Sequence, residues 1–457
     1  MTQPGETFQW LRHPEAEEFV KALTTGLPTF ARLADGLLSH TSTRLVDWLD
    51  HVVLADGDRP RRELANLGFE PHAVPVQAGD KVLHHPGAVF PRLILRAGTP
   101  AEPGTMLVAA IQVEDIAAFL SAQRLSNPIE GSPLGPFRRA LAWQTDSVNV
   151  WVVERRGHAG LIPVRMPADY AERYLTAYER WASRPRDWHE PREGMAATLR
   201  LAQGLAGELG ADMAAWAAFA AERAYWQRRN WAGQVQRARQ ERLGLGWANH
   251  DHHTFRSSRE CFPQLVQILT ALGFQPRERF YAGSEAGWGA QVLYQPACGL
   301  TVFADVDLAP DEAQADLTHR LLEPRPELGT VGLWCALHGE SMLSAGLHHL
   351  AARCAFAKAT ADLAQRGVEM MRPFSEFPFL QQAFTRGERW AVPGDRLVAL
   401  RAAGQIDLAQ HQRLADEGAV GSHLENIQRG EGFRGFNQQT VSDIIRRTDP
   451  RSEHRAA

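Results

Sequence analysis

The sequence has few cysteines, no long apolar run and almost no net charge, and each shortage argues against a class of protein. Its four cysteines, Cys261, Cys298, Cys335 and Cys354, form no CxxC pair, so neither a zinc ribbon nor a redox motif is supported. The longest apolar runs, such as 213–220, are too short to span a bilayer. The net charge of −4 gives no reason to expect nucleic acid or an acidic membrane surface as a partner.

The N-terminus lacks the features of an exported protein. Residues 1–6 (MTQPGE) contain neither the basic segment nor the apolar segment of a secretory signal. The scarcity of cysteine fits a reducing compartment. We therefore expect a cytoplasmic protein with no nucleic acid and no membrane among its partners, and the sequence leaves its oligomeric state open.

A repeated order of elements is the main feature that the sequence does contain. Residues 45–96 are predicted to form strand, helix, strand, strand and strand, and the same order returns over 253–306. The helix end and the following strand nearly repeat as 67–71 (LGFEP) and 272–276 (LGFQP). A weaker third copy begins at Leu347, and each of the three opens on a strand that carries histidine. The repeat predicts an α+β fold of βαβββ units.

The remaining composition divides the chain into three regions. Residues 161–245 are rich in strong helix formers, which predicts a helical insert. Residues 1–160 are predicted to hold N-terminal helices and a degenerate βαβββ unit, and 246–450 a metal-binding catalytic region of two βαβββ-like units. A final helix is predicted over 438–447, followed by a disordered tail over 449–457.

A histidine cluster at the start of a predicted strand is the strongest candidate site. Residues 250–253 are His-Asp-His-His, and imidazole suits Zn, Fe, Ni and Cu. Successive side chains of a strand point to opposite faces, so only one residue of 252–253, and one of 348–349, can face a given ion. A carboxylate from 422–430 (SHLENIQRG) would complete a set of two histidines and one acid, the arrangement of non-haem Fe(II) oxygenases. The alternative is a solvated, polar strand.

Short motifs in the second half of the chain resemble the 2-oxoadipate dioxygenase/decarboxylase family, also called 2-hydroxyglutarate synthase. This family belongs to the vicinal oxygen chelate, or glyoxalase-like, superfamily, whose βαβββ repeat the chain also resembles. The resemblance covers about 249–445, under half of the chain. It is carried by 252–256 (HHTFR), 273–276 (GFQP), 348–353 (HHLAAR), 380–385 (LQQAFT) and 425–430 (ENIQRG).

The resemblance implies a role for five residues. It makes His252, His349 and Glu425 the ligands of one Fe(2+), Arg256 the catalytic partner of a substrate carboxylate, and Gln382 a second substrate contact. The role of Arg256 also agrees with its chemistry, because a planar guanidinium binds a carboxylate through two hydrogen bonds. Residues four apart in a strand share a face, so Arg256 and His252 can reach one cavity.

The chain also departs from the family pattern. His348 stands where the family has Asn, and Ala351 and Ala352 replace Thr-Pro. The Tyr-Glu-Asp-Phe-Leu-Pro-like stretch that follows the metal Glu in the family is missing, and Glu431 is a second candidate for the carboxylate ligand. The resemblance therefore supports the position of the metal site better than the identity of the substrate.

The favoured function is an Fe(II)-dependent oxidoreductase that uses O2 to decarboxylate a 2-oxoadipate-like 2-oxo acid to a shorter 2-hydroxy acid. A metal-dependent lyase or isomerase of glyoxalase type, which needs no O2, is one alternative. A repeat protein that binds a small ligand without catalysis is another. His51 occupies the position of the ligand histidine in the first unit, but no arginine follows four residues later, and we interpret it as a remnant of duplication.

Overall fold

The computed structural model describes residues 10–25, 27–145, 148–283, 286–313, 316–318, 321–437 and 449–451. The helix predicted over 438–447 and all but three residues of the tail predicted over 449–457 lie outside these ranges. In the described part of the chain, no helix combines the length and the apolar composition that crossing a membrane requires.

The first sheet is built from two successive βαβββ units. Helices α1 (Pro14–Thr24) and α2 (Pro28–Thr41) precede it. The first unit comprises β1 (Leu49–Ala55), α3 (Asp58–Asn66), β2 (Glu70–Pro71), β3 (Asp80–His84) and β4 (Arg92–Arg96). The second comprises β5 (Met106–Gln112), α4 (Ile116–Ala122), β6 (Ile129–Glu130), β7 (Phe137–Gln144) and β8 (Asn149–Arg155). The strand order is β2-β3-β4-β1-β5-β8-β7-β6.

Four helices follow, and then a second sheet of the same topology. The helices are α5 (Tyr170–Ala182), α6 (Pro191–Leu209), α7 (Ala211–Arg228) and α8 (Trp231–Glu241). The third unit comprises β9 (His250–Arg256), α9 (Phe262–Ala271), β10 (Gln275–Tyr281), β11 (Trp288–Gln295) and β12 (Leu300–Asp307). After α10 (Thr330–His338), the fourth comprises β13 (His349–Arg353), α11 (Phe356–Ala364), β14 (Ser375–Phe377), β15 (Leu380–Phe384), β16 (Glu388–Trp390), α12 (Gly394–Ala402), α13 (Leu408–Glu417) and β17 (Ala419–Arg429).

The two sheets match strand for strand. The second has the order β10-β11-β12-β9-β13-β17-β15-β14, with the additional strand β16 paired to β17. In each sheet the first strands of two units, β1 with β5 and β9 with β13, pair antiparallel at the centre. The predicted α+β fold of repeated βαβββ units with a helical insert is confirmed.

The number of units was predicted wrongly, because the described residues form four and not three. The missed unit covers 106–155. Its first strand, Met106–Gln112, is an almost continuous apolar run without histidine, so it lacks the feature that marked the other three. Its helix α4 has seven residues and its strand β6 has two, both too short for a periodicity signal.

The repeated helix ends show that the first and third units also share local structure. Gly68 and Gly273 both end their helices with positive φ angles, 84° and 80°. The amides of the next residues, Phe69 and Phe274, bond to carbonyls five residues earlier at 2.9 and 3.1 Å. This closure of a helix end needs a left-handed residue, which glycine supplies without strain. The near-identical sequences at 67–71 and 272–276 therefore reflect a common backbone requirement.

Strand β9 separates a helix-covered face of the second sheet from an open one. His253 and Phe255 contact the ring of Phe219 on α7, with ring centroids 5.1 and 5.8 Å apart. Since alternate residues face opposite sides, His252 and Arg256 point away from the helices. The helical insert thus covers one face of the sheet, and His252 and Arg256 lie on the other.

Candidate metal centre

Three adjacent strands place the predicted ligands side by side. Strand β13 lies between β9 and β17, and the pairing register sets His252 and Glu425 both opposite Ala351. His349 is two residues before Ala351 and therefore shares its face of the sheet. The register alone brings His252, His349 and Glu425 together on the face opposite the helical insert.

The three side chains form a compact donor set. Their ligand atoms all lie within 4.8 Å of one another, and the described part of the chain contains no second group of this kind. Nε2 of His252 lies 3.0 Å from Oε2 of Glu425, and Nε2 of His349 lies 3.1 Å from the same oxygen. All three residues are buried. Two imidazole nitrogens and one carboxylate oxygen suit a divalent transition metal and leave coordination positions for other molecules.

Glu431, the other carboxylate considered from the sequence, is not part of this group. It follows β17 with a positive φ of 54°. Its carboxylate lies 3.5 Å from Nη1 of Arg12, near the N-terminal helices. The structure therefore brings Glu425, and not Glu431, to the two histidines.

A buried carboxylate behind the site orients His252. Nδ1 of His252 lies 3.1 Å from Oδ1 of Asp251, which leaves Nε2 directed at Glu425. Asp251 receives two hydrogen bonds from Arg429, each 2.8 Å long. An outer partner of this kind fixes the ring and strengthens it as a ligand.

The charges of the site are strongly coupled. Burial alone would raise the pKa of Glu425, but the charge of His252 and hydrogen bonds from both imidazoles hold that pKa well below its ordinary range. Burial alone would lower the pKa of His252, whereas the charge of Glu425 and the bonds to Asp251 and Glu425 raise it to about 9. Without a metal, His252 therefore carries a proton at neutral pH, in the place where a cation would provide the positive charge.

Arg256 and Gln382 both line the same cavity as the three donors. Gln382 donates from Nε2 to Oε1 of Glu425 at 2.8 Å, so it also holds the carboxylate in place. The guanidinium of Arg256 lies over the ring of Trp334, 5.5 Å from its centroid. Its one carboxylate neighbour among the described residues is Asp305, at 4.0 Å, and its Nε has no hydrogen-bond partner there. Arg256 is thus a buried cation without a close counter-ion.

Asp305 is the most informative residue that sequence reasoning missed. It lies on β12 directly opposite Arg256 in the sheet register, and it lines the cavity. Burial raises the pKa of its carboxyl to about 8, although the charges of Arg256 and His252 oppose the rise. A charged residue in the otherwise apolar run 302–306 was the available signal, but its partner could be found only from the strand pairing.

The neighbouring histidines differ in their positions. His253 lies on the helix side of β9, where Nη1 of Arg223 is 3.3 Å from its Nε2. His348 and His423 line the cavity, and their Nδ1 atoms lie near the backbone carbonyls of Gly421 and Thr385 at 3.3 and 2.8 Å. Both therefore form part of the cavity wall beside His349. The sequence analysis did not identify His423 as a site residue.

The cavity is small and largely aromatic. Its free volume is about 70 Å³, which corresponds to roughly two water molecules at about 30 Å³ each. Apolar walls exclude bulk water and strengthen the electrostatic interactions inside. The aromatic residues of the wall are Phe280, Trp288, Phe303, Phe374, Phe384 and Phe436.

The first sheet has an equivalent histidine–aspartate pair, but it does not have the other two donors. Its register places Ala110 opposite both His51 and Trp151, as Ala351 lies opposite both His252 and Glu425. Trp151 thus takes the position of the carboxylate ligand, and Val108 that of His349. His51 retains an aspartate partner, because its Nδ1 lies 2.9 Å from Asp50. One of the three candidate donors remains, and the described residues of the first sheet contain no metal-binding set of this kind.

Comparisons with known proteins add little about activity. No protein-family model matches the sequence, and no curated protein matches it either. Among solved structures, a triple mutant of 4-hydroxymandelate synthase from Streptomyces coelicolor aligns over 88% of this chain and 99% of its own, with 13% identity and a TM-score of 0.28.

Two further structures align with similar scores. A xylose isomerase-like TIM barrel/4-hydroxyphenylpyruvate dioxygenase fusion protein aligns over 90% of this chain and 52% of its own, with 13% identity and a TM-score of 0.23. Methylmalonyl-CoA epimerase from Mycobacterium tuberculosis aligns over 40% and 87%, with 12% identity and a TM-score of 0.23. At these scores, the site geometry and not the likeness must carry any functional argument.

Replacing each member of the 348–349 pair tests which histidine is a ligand. We expect His349→Ala to weaken Co(II) binding by more than about 100-fold, which exceeds the roughly 10–100-fold cost of losing an outer-shell partner. The matched variant His348→Ala should lose less than about tenfold, because His348 lines the cavity but lies outside the group of three donors. Titration calorimetry with Co(II) measures both. Loss of binding in His348→Ala alone would contradict the strand register.

The protonated state of His252 predicts a pH dependence of metal binding. Because its pKa is about 9 without metal, a metal ion must displace a proton at lower pH. We expect the apparent affinity for Co(II) to rise by about tenfold per pH unit up to about pH 9, and then to level off. Calorimetry at pH 7.5 in buffers of different ionisation enthalpy should show about one proton released per ion. Binding without proton release would show that His252 is not a ligand.

Proposed function

We propose that the chain is an Fe(II)-dependent dioxygenase that oxidatively decarboxylates a 2-oxo acid to a shorter 2-hydroxy acid. The single observation that carries the proposal is the buried set of two imidazoles and one carboxylate, with ligand atoms within 4.8 Å of one another. Two imidazoles and one carboxylate are the donor set that non-haem Fe(II) oxygenases use. In the proposal, His252, His349 and Glu425 are the metal ligands.

The reaction needs no external reductant, because the substrate supplies all four electrons that reduce O2. The bond between the carboxylate carbon and the keto carbon breaks, and CO2 leaves. One oxygen atom of O2 enters the new carboxylate, and the other becomes the hydroxyl group of the product. Bound Fe(II) would supply the redox chemistry with O2 that amino-acid side chains lack.

The protein residues bind, orient and exclude water. Arg256 is assigned to a carboxylate of the substrate remote from the reacting end, because it is buried in the cavity without a close counter-ion. With a pKa of about 8, Asp305 is mostly neutral at pH 7 and leaves the positive charge of Arg256 uncompensated. Gln382 holds Glu425 and is in reach of a ligand through its free carbonyl oxygen, which has no partner among the described residues.

The size of the cavity bears on which acid binds. A free volume of about 70 Å³ favours a compact 2-oxo acid. A dicarboxylic 2-oxo acid would satisfy both the metal and Arg256, and 2-oxoadipate is the longest member of the series that we consider. Acids of four, five and six carbons therefore form the natural test panel.

Asp305 also favours a second candidate function. A buried carboxyl with a pKa of about 8 can give or take a proton near neutral pH. A metal-dependent isomerase or lyase of glyoxalase type needs such a group and consumes no O2. The two candidates share the metal centre and differ in the co-substrate.

Consumption of O2 separates the two candidates. With Fe(II)-loaded protein, we expect uptake of one O2 and release of one CO2 for each dicarboxylic 2-oxo acid converted. An oxygen electrode and ¹³CO2 detection measure both. The variant His349→Ala, which lacks one of the proposed metal ligands, is the inactive control. Conversion of the acid under strict anaerobiosis, at the aerobic rate, would overturn the dioxygenase proposal in favour of the isomerase or lyase.

Arg256 should control substrate choice. Loss of a hydrogen-bonded charge pair costs about 1.5–3 kcal/mol, so Arg256→Gln should lower kcat/KM for a dicarboxylic 2-oxo acid by about 10–100-fold. The same variant should change kcat/KM for a monocarboxylic acid of equal length by less than about threefold. Steady-state kinetics on both substrates provide the comparison. An equal loss for both acids would mean that Arg256 does not recognise the remote carboxylate.

A further inference from the structure

A second cavity, distinct from the metal centre, lies between the two sheets. Its free volume is about 350 Å³, and strands of both sheets line it. Arginines dominate its charged residues, whereas aspartates are few. The arginines are Arg92, Arg155, Arg277, Arg353, Arg429 and Arg434, and the aspartates are Asp47, Asp50 and Asp251.

Four of the arginines share two aspartates. Each aspartate lies between two guanidinium groups, so each trio keeps one positive charge more than its carboxylate can balance. The shortest contacts are 2.6 Å for Asp50 with Arg155, 3.1 Å for Asp50 with Arg92, 2.8 Å for Asp251 with Arg429, and 3.2 Å for Asp251 with Arg353.

The remaining two arginines lie against the same two aromatic rings. The guanidinium of Arg277 is 5.3 Å from the ring centroid of Trp10 and 5.8 Å from that of Tyr294. The guanidinium of Arg434 is 5.7 Å and 5.5 Å from the same centroids. Two positive charges are thus held close together.

Carboxylates also fail to balance the positive charges of Arg277 and Arg434 in full. Arg277 contacts Glu278 at 2.8 Å, but its Nε is buried without a hydrogen-bond partner among the described residues. Arg434 donates to the backbone carbonyl of Pro86, and no carboxylate lies within 4.0 Å of it in the described part of the chain. Asp47 does not compensate, because it is paired with Arg44 at 2.6 Å.

The charge balance of the described residues therefore leaves about three positive charges. Six arginines face the carboxylates of Asp50, Asp251 and Glu278. Burial and the charge of Arg155 lower the pKa of Arg92 to about 10, which reflects the cost of holding these cations together. Like charges removed from water are costly unless an opposite charge joins them. Guanidinium groups bind phosphate and carboxylate oxygens through paired hydrogen bonds.

We propose that the cavity between the sheets binds a small polyvalent oxyanion that carries phosphate or carboxylate groups. The proposal is independent of the activity assigned to the metal centre. The two sites are nevertheless adjacent, because Phe436 lines both cavities. Asp251 also links them, since it contacts Arg429 and Arg353 on one side and His252 on the other. An anion that binds these arginines would compete with the carboxylate that orients His252.

Titration calorimetry tests the proposal with three probes at constant ionic strength: inorganic phosphate, tricarballylate and chloride. We expect saturable binding of phosphate, tricarballylate or both with one site per chain, and none for chloride. Arg434→Gln and Arg277→Gln should each weaken that binding by at least about tenfold, which corresponds to about 1.4 kcal/mol. The matched control Arg180→Gln removes an exposed arginine paired with Glu208 and should change the affinity by less than twofold.

The variant His349→Ala, which lacks one of the proposed metal ligands, distinguishes the new site from the metal centre. Anion binding that persists in this variant supports the proposal, and binding by one probe class alone identifies the ligand as a phosphate or a polycarboxylate. The proposal is overturned if neither anion binds, if both arginine variants bind as the unaltered protein does, or if His349→Ala abolishes binding. Circular dichroism shows that each variant is folded. A failure to consume O2 would leave these results unaffected.

Discussion

The pairing register of β9, β13 and β17 is the constraint on which the site depends. Ligands from three strands meet only if His252 and Glu425 stand opposite the same residue of β13. A slip of one residue in β9 would turn His252 towards the helices and bring His253 to the cavity. The apolar contacts of Phe255 with Phe219, under the helical insert, oppose that slip. Packing on one face of the sheet thus fixes the chemistry of the other.

The first sheet shows how much of this arrangement belongs to the scaffold. Asp50 with Arg155 repeats Asp251 with Arg429, because β8 and β17 hold the same place in their sheets. The second arginine of each trio differs, since Arg92 lies on β4 and Arg353 lies on β13. The Asp50–Arg155 pair links β8 to β1, and the Asp251–Arg429 pair links β17 to β9. The link is therefore present in both sheets, although only the second sheet has the three candidate donors. The donor set itself depends on two positions, where the first sheet has Val108 and Trp151. Function therefore resides in a few residues placed on a common fold.

Sequence reasoning reached those parts of the molecule that local patterns encode. Strand alternation was enough to show that only one histidine of 252–253 could face an ion, and the repeated 67–71 and 272–276 segments revealed the duplicated unit. It missed the 106–155 unit, whose apolar first strand has no histidine. It also missed Asp305 and the arginine-lined cavity, because both arise from contacts between residues distant in sequence. The meeting of His252, His349 and Glu425 could be anticipated from short motifs, whereas the charge balance required the assembled sheets.

The pair Arg256 and Asp305 shows why charge balance matters for function. In a buried ion pair at full contact, the carboxylate would neutralise the guanidinium and leave nothing for an anionic ligand. Here the two groups are 4.0 Å apart, and burial keeps the carboxyl largely protonated below a pKa of about 8. The uncompensated charge of Arg256 is costly in the empty cavity, and an anionic ligand would remove that cost. The same neutral carboxyl offers a proton for acid-base chemistry, so its protonation state relates to both candidate reactions: it frees Arg256 for a carboxylate in the first and is the acid in the second.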